Sequence, residues 1–228
     1  MSWNDLFVNM DNTNFFNFSF LPKYGSAFVR GFEYTLLLAM MRLSKNKPIK
    51  WLAGAYIAVF RSTPMLVQLS IIYFGLFHYI TLPRTLLFGF IAVNRFVPGV
   101  VALALNSSAY VAEIFRAGIL AVDQGQTEAA RSLGLSRWQS MRLVVLPQAI
   151  KNVLPALANE VVTMVKESSI CSVLGMAEMM FAAKTIAGST GISLAPYTMA
   201  ALVYFCINYP ASKAIEAIER RMRRGDKQ

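Results

Sequence analysis

Residues 127–147 read TEAARSLGLSRWQSMRLVVLP, a polar and basic stretch in a chain that is otherwise mostly apolar. Its first half has the residues of a short capped helix over 126–133. Asp123 is available as the N-cap, and Glu128 falls in the first turn, where the helix dipole favours a carboxylate. Gly134 suits the position just after a helix end, because glycine adopts positive φ without steric cost. We therefore predict that this helix stops at the glycine.

The second half of the stretch begins a new helix. Ser136 and Gln139 have the spacing of a capping box, in which each side chain bonds the backbone N–H of the other residue. Pro147 marks the entry to the next hydrophobic segment. The stretch thus predicts two short helices that meet at an angle. The second carries apolar residues at helical spacing, at Trp138, Met141, Val144 and Val145.

The composition of the whole chain indicates a membrane protein. Of its 228 residues, 56% are hydrophobic, 15% are charged, and the mean hydropathy is +0.47. A soluble domain carries about 25% charged residues. A membrane-spanning helix needs about 20 mostly apolar residues. Four stretches meet or approach this length, and they are Pro64–Ile80, Phe96–Ile119, Ala149–Val173 and Ser193–Ser212.

The first apolar region is shorter than the other four. Tyr34–Met41 is apolar, and extension back to Phe28 yields 14 residues, or about 21 Å of helix against a hydrocarbon core of about 30 Å. We therefore expect a polar N-terminal segment over 1–30 and a single transmembrane domain over 31–228. The predicted fold is an all-α helical bundle with four clear spans, a shortened first helix and a two-helix loop over about 118–147.

The basic residues are distributed unevenly between the two sides of these spans. If the spans alternate, 16 of the 22 lysines and arginines fall on the side that holds the opening stretch and the C-terminus. Basic loops remain in the cytoplasm, so both are predicted to be cytoplasmic. This distribution accounts for the net charge of +10 without nucleic acid as a partner.

The opening stretch resembles the EAA loop of ABC-transporter permeases, with Val144 in place of an isoleucine. Residues 42–68, 106–119 and 166–175 are similar to permeases for polar amino acids of the histidine, arginine and glutamine type. The loop residues that match that family in register are Glu128, Ala129, Ala130, Gly134, Leu146 and Pro147.

The resemblance implies a transmembrane subunit of an ATP-driven importer in the bacterial cytoplasmic membrane. Its partners would be separate ATPase subunits, a second permease subunit that is identical or related, an extracytoplasmic amino-acid-binding protein and the lipid bilayer. The loop would dock on an ATPase subunit. The resemblance does not specify which amino acid is carried. Compared with that family, roughly fifteen or more residues of the first helix are absent before residue 37.

The sequence offers no catalytic chemistry of its own. It lacks the GxxxxGK[ST] motif that cradles nucleotide phosphates, so we expect no cofactor in this chain and ATP bound by the partner subunit. No cluster with metal-ligand spacing and no nucleophile–base pair stands out, so we expect no enzyme activity. Two other hypotheses stay open. One is an ATP-independent carrier or channel, and the other is a permease-like subunit that is inactive or regulatory because its first helix is short.

Polar residues inside the predicted spans are the candidate substrate contacts, because such groups are costly in hydrocarbon unless they face a bundle interior or a cavity. A carboxylate among them could meet the ammonium group of an amino acid. The other interpretation is that they bond between helices and fix the bundle, and Glu113 with Arg116 favours such an ion pair. The candidates are Asn106, Tyr110 and Glu113, which share a face of one helix, and Asn159, Glu160 and Thr163 on another.

Residues Arg61, Ser62, Thr63 and Pro64 predict a break in a helix at the membrane entry. Pro64 lacks a backbone donor, and Ser62 or Thr63 could cap the new helix. One interpretation is a bend between an interfacial helix over Ile49–Phe60 and a span. The other is a gate in the transport pathway, and the two are compatible.

Overall fold

The computed structural model describes residues 35, 37–44, 46–87 and 91–224, and it is helical apart from turns and one short hairpin. The predicted polar segment 1–30 lies outside the described residues. So does most of the shortened first helix, of which residues 37–43 are helical.

Eight helices, numbered α1 to α8, and the two strands of one hairpin follow residue 46 within the described ranges. Two π-helical turns, which have wider i→i+5 hydrogen bonds, interrupt the regular helices. The first continues α2 over Ile71–Leu76, and the second lies between α5 and α6 over Met141–Val145. A 3₁₀ turn over Ser168–Leu174 follows α6. The helices are α1 Lys47–Ser62, α2 Met65–Ser70, α3 Val93–Leu120, α4 Gln124–Ser132, α5 Arg137–Ser140, α6 Leu146–Glu167, α7 Met179–Thr190 and α8 Leu194–Arg224, and the antiparallel strands are β1 Leu86–Leu87 and β2 Ile91–Ala92.

Among the described residues, α3 is the helix whose length and hydropathy are sufficient to cross a membrane. Two further spans result if each bent pair of helices counts as one. The first pair joins Lys47–Ser62 to Met65–Leu76 at 106°, and the second joins Arg137–Leu174 to Met179–Thr190 at 45°. Helix α8 covers the predicted span Ser193–Ser212 in one continuous helix of 31 residues.

The helices pack closely because small residues occupy their contact faces, as is common in membrane bundles. In α3, Ala102, Ala109 and Ala112 are fully buried. Gly118 marks the closest approach of α3 to α6, since a Cβ built on it would lie 2.3 Å from Cγ2 of Val153 and 3.3 Å from the carbonyl oxygen of Ala149. Any side chain at 118 would therefore force the two helices apart.

We expect Gly118→Val to destabilise the bundle, because overpacking a tight contact costs about 1–3 kcal/mol. The measurement is the thermal transition of the detergent-purified chain. Val153→Ala removes the methyl group that a new Cβ would meet, so the double variant should recover most of the loss. If it does not recover, the contact between α3 and α6 does not limit stability at this point.

Helix α7 was not predicted from the sequence, and it depends on one carboxylate. Glu178 accepts hydrogen bonds from the backbone N–H groups of Met180, at 2.8 Å, and of Phe181. The hydroxyl of Tyr204 on α8 donates to the same carboxylate at 3.0 Å. Gly175 and Gly191, both at φ 72°, end the preceding 3₁₀ turn and α7. One side chain thus caps α7 and ties it to α8.

Candidate functional site: the two-helix loop and the polar groups of the bundle

The first helix of the loop, Gln124–Ser132, has the predicted caps, but it begins earlier than predicted, so that Glu128 lies after its first turn. The carboxylate of Asp123 accepts a hydrogen bond from the backbone N–H of Gly125 at 2.7 Å. At the other end Gly134 has φ 85° and donates to the carbonyl of Arg131 at 3.0 Å, while Leu135 donates to the carbonyl of Ala130 at 3.2 Å. These two bonds form a Schellman motif, which fixes the direction of the chain after the helix.

The second helix begins with the predicted capping box, which is confirmed. The hydroxyl of Ser136 accepts from the N–H of Gln139 at 3.2 Å, and the side-chain oxygen of Gln139 accepts from the N–H of Ser136 at 2.8 Å. The helix does not end before Pro147, however. The π-helical turn carries it directly into α6. Pro147 lacks a backbone N–H for the preceding turn, and the irregular π-helical hydrogen bonding directly before it is where such a break is accommodated. The loop and α6 therefore form one continuous helical rod.

Apolar side chains project from the loop into solvent. Leu133 is 85% exposed and Trp138 is 67% exposed, although they stand in the polar part of the chain. Of the matched loop residues, Ala130 is buried against the structure, whereas Glu128 and Ala129 are exposed. Exposed aromatic and aliphatic side chains on a rigid turn are typical of a protein-binding surface. Sequence reasoning did not single out Leu133, because an isolated leucine carries no pattern.

A glutamine not identified from the sequence ties the start of the loop to α6. The side-chain amide of Gln148 donates to the side-chain oxygen of Gln126 at 3.4 Å and to the carbonyl of Val144 at 3.0 Å. Helix α4 also packs against the π-helical turn. These contacts hold α4, the π-helical turn and α6 together.

The helix break at residues Arg61–Pro64 is bridged by hydrogen bonds from the side chain of Gln68, a residue that was not identified from the sequence. Pro64 cannot donate to the carbonyl four residues earlier, at Phe60. The amide of Gln68 donates there instead, at 2.8 Å, and also lies 2.9 Å from the carbonyl of Thr63 and 2.8 Å from its hydroxyl. The prediction that Ser62 or Thr63 caps the new helix was wrong, because Pro64 holds the N-cap position and the Thr63 hydroxyl donates to the carbonyl of Val59.

Asn106 belongs to the same network. Its side-chain amide donates to the side-chain oxygen of Gln68 at 2.9 Å, and both side chains are buried. A second bond of 3.4 Å reaches the carbonyl of Phe60. The amide of Asn106 is therefore used in holding α3 against the bend between α1 and α2, as the structural interpretation expected.

Tyr110 and Glu113, one and two turns further along α3, line a different surface. The carboxylate of Glu113 forms a bidentate pair with Arg116 and lies 3.9 Å from a guanidinium nitrogen of Arg61. The guanidinium of Arg61 also lies over the ring of Tyr110, 5.4 Å from its centroid. The predicted pair of Glu113 with Arg116 is present, and its charge is already compensated. Arg61, Ser62, Tyr110 and Glu113 all line one cleft between α1 and α3.

The second candidate set lies on α6. Glu160 is partly buried and accepts a hydrogen bond from the hydroxyl of Ser107 on α3 at 3.2 Å. No cation among the described residues lies within ion-pair distance of its carboxylate. Thr163 is partly exposed and Asn159 is exposed. Within the described chain, Glu160 is thus an acidic group between α3 and α6 whose described partner is a hydroxyl and not a cation.

Sequence comparison identifies relatives that match most of the chain. The arginine transport system permease protein ArtQ of Bacillus subtilis is 41% identical over 191 residues, which are 84% of this chain and 83% of that protein. The putative glutamine transport system permease protein GlnP of Rickettsia typhi is 38% identical, with 86% of each chain covered.

Solved structures agree in fold. A crystal structure of an amino acid ABC transporter with histidines is 44% identical, with a TM-score of 0.72 over 90% of this chain and 98% of that one. The inward-facing MetNI methionine ABC transporter, at 21% identity and a TM-score of 0.66 over 86% of this chain and 87% of its own, shares the fold. The family model of the binding-protein-dependent transport system inner membrane component matches residues 35–224. The chain belongs to this family of membrane components of binding-protein-dependent transport systems.

Proposed function

We propose that this chain is the permease subunit of an ATP-driven importer of polar amino acids. Family membership supports a membrane-embedded transport subunit, with ATP hydrolysis in separate ATPase subunits and an external binding protein that delivers the substrate. The observation that carries the proposal for this chain is the rigid loop. It presents Leu133 and Trp138 to solvent and continues without interruption into α6.

The proposed coupling follows from that continuity. ATP binding draws two ATPase subunits together, and each pulls a docked loop with it. The matched residues Glu128, Ala129, Ala130 and Gly134 would form the docking turn, with Leu146 and Pro147 at the junction to α6. Since α6 packs against α3 and α8, a rotation of the rod would change the packing around the path and convert it from inward-facing to outward-facing. The bend at Pro64 would flex in the same step.

For the substrate path, we propose Glu160 as the group that meets the positive charge of an amino acid. A carboxylate without a cationic partner is costly within a membrane bundle, and an ammonium or guanidinium group would remove that cost. Thr163 and Asn159 would supply further hydrogen bonds. Glu113 is less suited to this role because Arg116 and Arg61 already neutralise it.

The proposed arrangement in the bacterial membrane follows the basic residues. The loop and the C-terminal end of α8 lie on the cytoplasmic side, and the polar segment 1–30 precedes one transmembrane domain over 31–228. Four spans would place both termini in the cytoplasm. In this arrangement α7 belongs to the third span, as the second arm of the bent pair that begins at Arg137. Two permease subunits would enclose one path.

We expect Glu160→Gln to lower uptake at least tenfold, because the neutral amide cannot offset the charge of the substrate. The measurement is ATP-dependent uptake of labelled arginine, glutamine and histidine by proteoliposomes that contain the assembled complex. The control is Glu167→Gln, which neutralises a carboxylate of the same helix two turns further on and should leave uptake near that of the unchanged chain.

The results separate the alternatives. Equal uptake in both variants would contradict the role of Glu160 while leaving the permease function intact. Uptake that continues without ATPase subunits would contradict the ATP-driven mechanism and favour an independent carrier.

A further inference from the structure

A cationic groove runs along α1, apart from the loop and from Glu160. It consists of two adjoining clefts of about 360 and 450 Å³, which share the lining residues Arg42, Gly54 and Ala58. Arg61 lines the first cleft, and the second is lined by the basic or aromatic side chains of Lys47, Lys50 and Trp51.

The charge in this groove is strongly unbalanced. Four basic side chains line it, whereas Glu113 is the one acidic residue among its described lining residues. That carboxylate is bidentate with Arg116, which stands outside the groove lining. Arg61 also lies 3.9 Å from this carboxylate. One carboxylate thus stands among four lining cations, so the groove keeps an excess of positive charge and should attract an anion.

Arg42 stands between the two clefts. A Cβ built on Gly54 would lie 3.5 Å from its Cζ, so the absence of a side chain at 54 leaves room for the guanidinium. The Nε of Arg42 is buried and has no hydrogen-bond partner in the described part of the chain. A buried donor without an acceptor is costly, and an anion in the groove would supply the acceptor.

The surroundings of the groove select the kind of anion. Trp51 is 74% exposed beside Lys50, and Leu52 and Val59 on α1 are more than half exposed. Tryptophan and exposed aliphatic residues next to lysines are typical of a helix that lies at the headgroup level of a membrane. A ligand that is both anionic and apolar would satisfy the two kinds of surface at once.

We propose that this groove binds the headgroup phosphate of an anionic phospholipid, with the acyl chains against the exposed apolar residues of α1. The proposal rests on the proposed orientation, in which α1 faces the cytoplasmic leaflet. Lys47 and Lys50 hold the phosphate at the entrance, and the guanidinium of Arg42 donates to it from the interior. Basic pockets beside membrane helices on this side are suited to such lipids.

The test measures binding of fluorescent phosphatidylglycerol and phosphatidylcholine to the purified full chain in mixed micelles at low salt. We expect a clear preference for phosphatidylglycerol. The double variant Lys47→Gln with Lys50→Gln should weaken its binding about 30-fold, since each lysine near an anionic lipid contributes a factor of about five. The matched control, Arg84→Gln with Lys184→Gln, removes two exposed charges away from the groove and should leave binding unchanged.

Three results would overturn the proposal. They are equal binding of the two lipids, equal loss in the control variant, and displacement of phosphatidylglycerol by inorganic phosphate at constant ionic strength, which would indicate a site for soluble anions. Copurification with ATPase subunits is measured on the same samples. Because lipid binding needs no ATPase, a failure of the lipid site and a failure of the transport function give different results.

Discussion

Gly134→Trp is expected to lower the affinity of the chain for its ATPase subunits more than a hundredfold. Two effects add. Residue 134 has φ 85°, a conformation that costs an L-residue about 1–2 kcal/mol. In addition, a Cβ at this position would meet no described atom within 4 Å, so the indole would project into the space where the ATPase subunit is proposed to dock. An L-residue lets the free turn relax to another conformation, so re-forming the turn for docking costs this energy again, which corresponds to a loss of roughly 5- to 30-fold.

The measurement is copurification of the tagged chain with candidate ATPase subunits from the same genome, quantified over a range of subunit concentrations. Gly134→Ala is the matched control, because it carries the same backbone cost with a single methyl group. We expect the alanine variant to lose roughly tenfold and the tryptophan variant far more. Equal losses would assign the whole effect to backbone strain and would contradict docking at this turn.

The second large effect is expected from Gln68→Leu, which removes the amide that replaces the missing donor of Pro64. The carbonyl of Thr63 and the side-chain amide of Asn106 would lose their described bonds to residue 68. Each buried polar group left without a partner costs about 1–3 kcal/mol, and the side chains of Gln68 and Asn106 are both buried from solvent. We expect the melting temperature of the detergent-purified chain to fall by on the order of 10 °C.

Two comparisons make this result specific. Ser70→Ala removes an exposed hydroxyl that bonds the carbonyl of Leu66 within the same helix, and it should change little. Asn106→Leu combined with Gln68→Leu should cost less than the sum of the two single changes, because the two amides bond each other. Strict additivity would show that they do not act as one network.

The loop was predictable because its structure is set by neighbours in the sequence. The cap at Asp123, the positive φ of Gly134 and the capping box of Ser136 and Gln139 each involve residues at most three positions apart. Hydrophobic length predicted α3 and α8 for a similar reason. In each case the chain segment itself holds the information.

Other features depend on parts of the chain that meet only in the folded bundle. Gln68 replaces the donor of Pro64 but also binds Asn106, 38 residues away, and a glutamine in an apolar stretch does not reveal its partner. The helical spacing of Asn106, Tyr110 and Glu113 correctly placed them along one side of α3. It could not show that α2 covers one end of that side and Arg61 the other. Helix α7 was missed because its cap at Glu178 and the glycines around it lie outside a regular apolar pattern.

The π-helical turn over Met141–Val145 determines the direction in which the side chains of α5 point around the axis of α6. An α-helix advances about 100° per residue, and a π-helical turn accommodates one extra residue in its circumference. The direction in which Trp138 points is therefore offset by about 100° from the one a regular helix would give. Inserting or deleting a single residue between the two helices would therefore rotate the exposed face that carries Trp138 about the axis of α6, without altering any side chain on that face.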